Sequence, residues 1–553
     1  MEIKLIGLNG RYTHSTLSLF YLRQVISRQL AADVSLWQYT INDNYFETLI
    51  RISHGTPQVI CFSVYIWNSE RIARLIMDLG QLLPASTIII GGPEAAAMCQ
   101  QQPLLAPLVT LVHGEVEGLG AKFFHDLERQ EMAPCYQAGG APDFSLPYQE
   151  SDFHGPLAHR HIYYESSRGC PYTCSYCLSA TSKGVRHLGL DQVKAELDLL
   201  LAARPQTIRF IDRTFNAHPE RACAIWAHLL NQEGDTCFHF EIAPDRFTEE
   251  MFALLARAPK GRFQFEIGLQ STSPAALAAV QRPKETKDAL ATIKRITELG
   301  TIHTHADLIL GLPRETKATF ARGVNELFAA QPHYIQMGLL KVLPGTPLDN
   351  QAEELGLNHR HRPPYELLAS REMKHQELTE LYWLGEWVEK MYNSELFRPL
   401  FTYLAEKKER GFDFFQAIYA RCREKKLLER AATPELLSLI LAEEGETRED
   451  RDLFLEILQF CWLASGRKNL PDHLEQLDLR GLRERLYEQL PTEITGLYQK
   501  KERNHFFRKT IFATFSPAVM ALAGQPGQTE QLAFQPQSSG RPKISPLPPV
   551  FKP

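Results

Sequence analysis

The first 130 residues alternate between two hydrophobic spacings. EIKLIGLN, DVSLWQY, VICFSVYI, TIIIGG and LVTLVHGE are short, mostly apolar runs with the length and punctuation of strands. LSLFYLRQVISRQL and SERIARLIMDLGQLL place apolar residues at helical spacing between them. TIIIGG is apolar on both of its faces, as a strand covered on two sides must be. Strand alternating with helix predicts an α/β domain, a doubly wound parallel sheet over 1–130, with functional loops at the carboxyl ends of its strands. Residues 131–160 lose this periodicity, turn to Ala, Pro, Gly and Ser, and read as a linker.

A second alternation runs over 161–350. HIYYESSRG, QTIRFIDRTFN, CFHFEIAPD, FQFEIGLQS, THADLILGLP and YIQMGLLKVLP are strand candidates, separated by helical runs such as LDQVKAELDLLLAA and PERACAIWAHLLNQ. Six such repeats predict a partial (β/α)6 barrel, with chemistry at the strand carboxyl ends where RGC, DRTFN, APD, LQS and LPRET fall. From 351 to 524 the spacing becomes helical, as in ELTELYWLGEWVEKMYNSELFRPLFTYL, and predicts an all-α region. Trp383 and Trp387 sit there at helical spacing and read as core. The tail 525–553, rich in Pro, Gln, Ser and Gly, reads as disordered.

Composition narrows the partners rather than the fold. A chain of 553 residues with 44% apolar and 23% charged residues has ample material for several cores. A net charge of −5 gives no strong nucleic-acid signal and none for an anionic membrane. No apolar run approaches the roughly 18 residues of a membrane span, and the first one is too short for a signal peptide. Seven of the ten cysteines are scattered along the chain, which predicts buried thiols in a reducing, cytoplasmic setting.

The other three are not scattered. RGCPYTCSYC puts Cys170, Cys174 and Cys177 within eight positions. A structural zinc site takes four ligands, commonly two C-x-x-C pairs, and no second pair exists here. A dithiol redox pair would leave Cys170 without a role. Three thiolates can instead hold a [4Fe-4S] cluster with one iron left open to a small chelating ligand.

The spacing C-x-x-x-C-x-x-C after the first barrel strand, with Tyr176 before the last cysteine, resembles the radical S-adenosylmethionine superfamily. The resemblance implies that the open iron chelates S-adenosylmethionine and that the cluster reduces it to a 5′-deoxyadenosyl radical, fed by an electron donor such as flavodoxin or ferredoxin. It implies Tyr176 near the adenine. Gly169, just before the first cysteine, is read as the residue that lets the loop turn tightly. CFHFEIAPDRFTEE, IGLQSTS and ADLILGLPRET resemble the oxygen-independent coproporphyrinogen oxidase branch. This implies Glu241 for the methionyl amine or the ribose, Gln270 for the ribose, Arg282 for the carboxylate and Asp307 as a further contact. The family often has Gly-Gly-Glu after its second strand. Here the region reads IDRTFN, with Asp212 and Asn216 as the available substitutes.

A doubly wound domain ahead of such a barrel resembles the cobalamin-binding subclass, which implies a corrin on the carboxyl edge of the first sheet. The loop candidates are Asn9–Ser15, Ser63–Asn68, Gly91–Glu94 and His113–Glu117. Within them Ser63, Gly91, Gly92, Glu94 and Gly114 are the candidate contacts, Ser63 as a hydrogen-bonding group and Gly91 and Gly92 as places where a nucleotide tail comes close to the backbone. The D-x-H-x-x-G motif for a lower axial histidine is absent, and His14 in RYTHS lacks its flanking residues. The helical C-terminal region resembles an uncharacterised extension within this subclass. The expectation is an enzyme that methylates an unactivated carbon. The alternatives are radical ring formation or rearrangement, and an iron–sulfur redox sensor without turnover. The substrate is not readable.

Overall fold

Residues 1–140, 142–181, 184–282, 286–525, 530–537 and 540–548 are described by the structure, a computed structural model. The first sheet has six parallel strands: β1 (Glu2–Asn9), β2 (Asp33–Thr40), β3 (Val59–Ser63), β4 (Thr87–Gly91), β5 (Val109–His113) and β6 (Cys135–Gln137), in the order β2-β1-β3-β4-β5-β6. Its two faces are separate cores. Ile60, Phe62, Ile88 and Ile90 pack with Ile72, Ile76 and Leu79 on one side. Val59, Cys61, Ile89 and Val112 pack with Leu19, Ile26, Phe123 and Leu127 on the other. Successive residues of one strand point to opposite faces, so the stretch of a strand buried on both is apolar, as Val59–Phe62 and Ile88–Ile90 are. Strand order reverses at β1 and β3, which opens a crevice beyond their carboxyl ends.

The expected linker is not structureless. Cys135–Gln137 is the sixth strand of this sheet, a three-residue element too short to show a period. Beyond it, Asp152 receives both terminal nitrogens of Arg23, at 2.6 and 2.5 Å, which ties the segment to the helix Leu17–Gln29.

The molecule divides into two compact units, each discontinuous in sequence. The first comprises Met1–Thr304, Gly311–Thr316 and Leu339–His375. Besides the first sheet it contains β7 (Ile162–Tyr164), a short antiparallel pair β8 (Ser167–Gly169) and β9 (Val185–His187), then β10 (Thr207–Phe210), β11 (Cys237–Ile242) and β12 (Phe263–Gln270). β7, β10, β11 and β12 pair side by side in parallel. In β12 the aromatic and aliphatic residues Phe263, Phe265, Ile267 and Leu269 are buried, while Gln264, Glu266, Gly268 and Gln270 alternate onto the other face. That second face is the polar interior on which the candidate residues stand.

The second unit comprises His305–Leu310, Lys317–Gly338 and Gln376–Pro553. It takes in most of β13 (Ile302–Leu310) and β14 (Tyr334–Leu339), which complete the six β-then-α repeats along the chain. Helices follow from His375–Met391 to Pro517–Leu522, with Trp387 fully buried among them. The C-terminal region is helical, with a short strand, β17 (Ile511–Thr514), near its end. One expectation is corrected here: the segment after 525 is not wholly disordered, because β18 (Gln531–Gln535) and β19 (Lys543–Pro546) pair antiparallel with β17 and with each other. (Between them in number, β15, Asn358–His359, and β16, Leu367–Ala369, form a small ladder in the first unit.) Leu532, Ala533 and Phe534 are buried, so three apolar residues suffice to anchor a strand inside a polar composition. Residues 526–529, 538–539 and 549–553 of that tail lie outside the described residues. Among the described residues no helix is long and apolar enough to cross a membrane.

Candidate functional site

The cysteine loop is held open at its neck by a hairpin. β8 ends at Gly169, which pairs with Val185 of β9. Gly169 has φ +97°, and a Cβ there would stand 2.1 Å from the carbonyl oxygen of Gly184. Only glycine permits both. Within the loop, Ser175 N–H donates to Val280 O at 3.0 Å, and Ser175 O accepts from Leu348 N–H at 2.9 Å.

All three thiols are free. Each has a polar neighbour. Cys170 Sγ lies 3.5 Å from Thr214 Oγ1, Cys177 Sγ accepts from Ser179 N–H at 3.4 Å, and Cys174 Sγ lies 3.5 Å from Arg282 Nη1. Among the described residues no three His, Cys, Asp or Glu side chains converge on a point as ligands of a single ion. Three thiolates that each cap a separate iron of a cube have no need to converge. Donors aimed at sulfur are what such a cluster uses to set its potential, so the loop fits the cluster.

Arg282 is the hinge of this site. It reaches Cys174, meets Tyr176 Oη at 3.4 Å, and donates to Gly268 O. Gly268 makes the room: a Cβ there would stand 2.4 Å from Gln270 Nε2 and 3.1 Å from Arg282 Nη2. Gln270 itself ends β12 with φ +71°. Cys174, Tyr176, Gln270 and Arg282 are thus brought into one neighbourhood, and burial pushes the Tyr176 phenol above its usual range. Asp307 lies on β13 in the second unit.

The region where the sequence departs from Gly-Gly-Glu behaves differently from its expectation. Asp212 is 1% exposed and accepts from Ser166 N–H, Ser166 Oγ and Ser167 Oγ at 2.9, 2.6 and 2.5 Å. Asn216 is fully buried and exchanges two 2.8 Å bonds with the Ala243 backbone. Both are committed to the scaffold and neither is available as a substitute. Thr214, between them, is the residue that reaches a cysteine.

A groove of about 420 Å³ opens at the carboxyl edge of the first sheet. Ser63, Gly91, Gly92 and Gly114 line it. Its floor is apolar (Leu22, Ile89, Val112, Phe123) and its rim carries Tyr65, Glu115, Glu117 and Arg213. An apolar floor with donors and acceptors around it suits a corrin, which has an apolar macrocycle and amide side chains. Gly92 earns its place otherwise: its φ is +105° and a Cβ would stand 2.6 Å from Val64 O, so it serves a tight turn. Glu94 is corrected. It is 3% exposed, hydrogen-bonds Tyr365 Oη, and is absent from the groove lining. One residue past the turn, it points back into the fold. His14 lines a different cavity.

Arg168, two residues before Cys170, was not singled out for a role by sequence. It bonds Glu115 at 2.8 Å, Glu117 at 2.7 Å and Glu165 at 2.8 Å, and its guanidinium lies over Tyr21 and Phe144 at 4.7 and 4.3 Å. It joins the loop after β5 to the neck of the cysteine loop. The only signal in the sequence is the acidic HGEVE opposite a basic SSRGC, which has no partner until the fold supplies one.

Comparison with known proteins places residues 164–327 in the radical SAM superfamily and matches residues 353–533 to DUF4080, a protein family of unknown function. Among curated proteins, the cobalamin-dependent radical SAM methyltransferase TokK of Streptomyces tokunonensis is 23% identical over 54% of this chain and 50% of its own. The 2-(S-pantetheinyl)-carbapenam-3-carboxylate methyltransferase of Streptantibioticus cattleyicolor is 22% identical over 65% of this chain and 60% of its own. The chain therefore spans half to three fifths of these relatives. In fold it is similar to the cobalamin-dependent S-adenosylmethionine radical enzyme OxsB with aqua-cobalamin bound (TM-score 0.60, 14% identity, 84% of this chain and 80% of the other). It is also similar to the radical S-adenosylmethionine methyltransferase TsrM from Kitasatospora setae with cobalamin and a [4Fe-4S] cluster bound (TM-score 0.54, 16% identity, 77% and 99%).

Proposed function

We propose that this chain, which carries a radical S-adenosylmethionine domain over residues 164–327, is a cobalamin-dependent enzyme that methylates an unactivated carbon. One observation carries the reading. The groove on the edge of the first sheet is completed by Glu165 and Arg168, which lead into the cysteine loop, and by Ile211 and Arg213, next to Thr214, which reaches Cys170. A corrin seated there would be held against the machinery that makes the radical. The names of the curated relatives support methyl transfer.

When bound, the cluster and S-adenosylmethionine supply a hydrogen-abstracting radical, and cobalamin supplies methyl transfer. The chain's own residues bind and orient. Cys170, Cys174 and Cys177 ligate the cluster. Arg282 places a fixed positive charge beside the Cys174 thiolate and, with Gln270, holds the methionyl carboxylate and ribose. Tyr176 borders the adenine. Ser63, Gly91 and Gly114 bound the corrin, while Leu22, Val112 and Phe123 exclude water beneath it. A cluster held by three thiolates calls for a reducing compartment, the cytoplasm, and a one-electron donor such as flavodoxin or ferredoxin.

The test is anaerobic purification with hydroxocobalamin present, followed by iron and corrin analysis and incubation with S-adenosylmethionine and a reductant. The expected protein holds about four irons and one corrin and yields both 5′-deoxyadenosine and S-adenosylhomocysteine. Deoxyadenosine alone would favour ring formation or rearrangement. An intact cluster with no cleavage at all would favour a sensor.

A further inference from the structure

Inside the barrel lies a second cavity, of about 480 Å³. Ile211 lines both this cavity and the groove, so the two spaces share one aliphatic wall. An aromatic pair is divided between them in the same way. Tyr65 and Trp67 stack with centroids 4.4 Å apart and planes 4° apart; Tyr65 lines the groove and Trp67 the cavity. Trp67 is 50% exposed and, with Tyr163, Phe210 and Ile211, gives the cavity an apolar side. The volume is that of a small-molecule site.

The charges in the cavity are unevenly answered. Glu241 of β11 and Glu266 of β12 are register partners on the interior face, like charges placed opposite one another. Glu266 meets His239 Nε2 at 3.3 Å and Arg209 at 4.0 Å. Arg209 also meets His239, at 3.2 Å, and is occupied by these two. Glu241 accepts no hydrogen bond and makes no ion pair among the described residues. Burial, with Glu266 and Asp212, raises its pKa to about 7 against the opposing pull of Arg213 and Arg209. The two histidines on the wall, His14 and His239, are held below their ordinary value by burial and by Arg209, so neither offers a cation near neutral pH. A carboxyl that is both desolvated and unpaired is costly unless something arrives to pair it.

We infer that this cavity is the substrate pocket and that it takes a small molecule bearing a protonated amine, with the ammonium group at Glu241 and Glu266 and the body of the molecule against Trp67. This rests on the methyltransferase reading and assigns Glu241 to the substrate, where the family resemblance gives it to S-adenosylmethionine. A substrate so placed has its carbon skeleton beside Ile211, next to the groove.

The experiment uses two probes of similar shape and opposite charge, phenethylamine and phenylacetate, titrated into the full-length, anaerobically reconstituted protein and followed by saturation-transfer NMR. Phenethylamine should bind about tenfold more tightly than phenylacetate. Glu241→Gln should remove about tenfold of that, the scale of one charge-assisted hydrogen bond, and leave S-adenosylmethionine affinity unchanged. Trp67→Ala should weaken both probes. Preference for phenylacetate, no binding of either probe at millimolar concentration, or a Glu241→Gln variant that loses S-adenosylmethionine and keeps the amine would each overturn the inference. Corrin content measured on the same samples keeps the two ideas apart. A protein that holds cobalamin and ignores the amine sinks only the pocket, whereas one that binds the amine and no cobalamin sinks the methyltransferase reading.

Discussion

Glu315 is a carboxyl with almost no access to water. It is 1% exposed, one oxygen accepts from the Ser271 hydroxyl, and the other has no hydrogen-bond partner among the described residues. Burial raises its pKa from 4.5 to about 7, outweighing the Ser271 bond. An acid whose folded pKa is raised favours the folded state only while it is protonated. Its contribution is complete below pH 4.5, declines between 4.5 and about 7, and is gone above. A shift of that size is worth about 3 kcal/mol. Urea unfolding across pH 5 to 8 should therefore show stability falling as pH rises, and Glu315→Gln should flatten the slope. An unchanged slope in the variant removes Glu315 as its cause. Gly169 makes a sharper prediction. Gly169→Ala meets both an unfavourable φ and a 2.1 Å clash with Gly184 O, a cost of about 1–3 kcal/mol at the neck of the cysteine loop. The variant should reconstitute with less iron than the wild type, while the far-UV spectrum stays the same.

Among the elements, the junction between the loop after β5 and the neck at β8 depends most on one side chain. Arg168 answers three carboxylates, with side chains 38%, 9% and 16% exposed, and among the described residues only Glu115 has a second cation, Arg186. Removing the guanidinium leaves Glu117 and Glu165 poorly solvated and without their cation, a loss of about 3 kcal/mol for largely buried pairs. Arg168→Gln should lower both unfolding stability and corrin affinity. Arg168→Lys restores the charge without the fork and should recover less than half of each. Equal recovery by lysine would show that charge alone matters. This junction also marks how far the sequence could be read. Strands with a clear period were legible: FQFEIGLQ alternates in sequence just as Phe263 to Gln270 alternate in burial. Gly169, whose place follows from local spacing just before the cysteines, was legible for the same reason. Cys135–Gln137 and Gln531–Gln535 were not, because three to five residues carry too little period. Glu94 was misjudged because a turn at Gly92 decides where its side chain goes, and Arg168 was overlooked because two of its three carboxylate partners lie more than 50 residues away.

At the scale of the molecule, the boundary in sequence is not a boundary in structure. The radical SAM match ends at 327 and the DUF4080 match begins at 353, which invites a cut between them. The second unit, however, draws Lys317–Gly338 together with Gln376–Pro553. Phe328 is 1% exposed because Tyr392 and Phe401 pack on it, with ring centroids 5.9 and 6.4 Å away. Gly411 comes so near that a Cβ there would stand 2.4 Å from Phe328 Cγ. The neighbouring Phe412 N–H donates to Asn325 Oδ1 at 2.8 Å, and the Asn393 amide pairs with both the N–H and the C=O of Ile335. A fragment ending at 352 therefore uncovers Phe328 and leaves the Ile335 backbone without those bonds, at about 25 cal/mol for each Å² of apolar surface returned to water. The DUF4080 region is structural for the last barrel repeats before it is anything else. The fragment 1–352 should aggregate or bind a hydrophobic dye strongly, whereas full-length protein stays dispersed and dye-free. A monodisperse fragment 1–352 with the melting temperature of the intact chain would mean that those contacts are dispensable and that the C-terminal region exists for some other task.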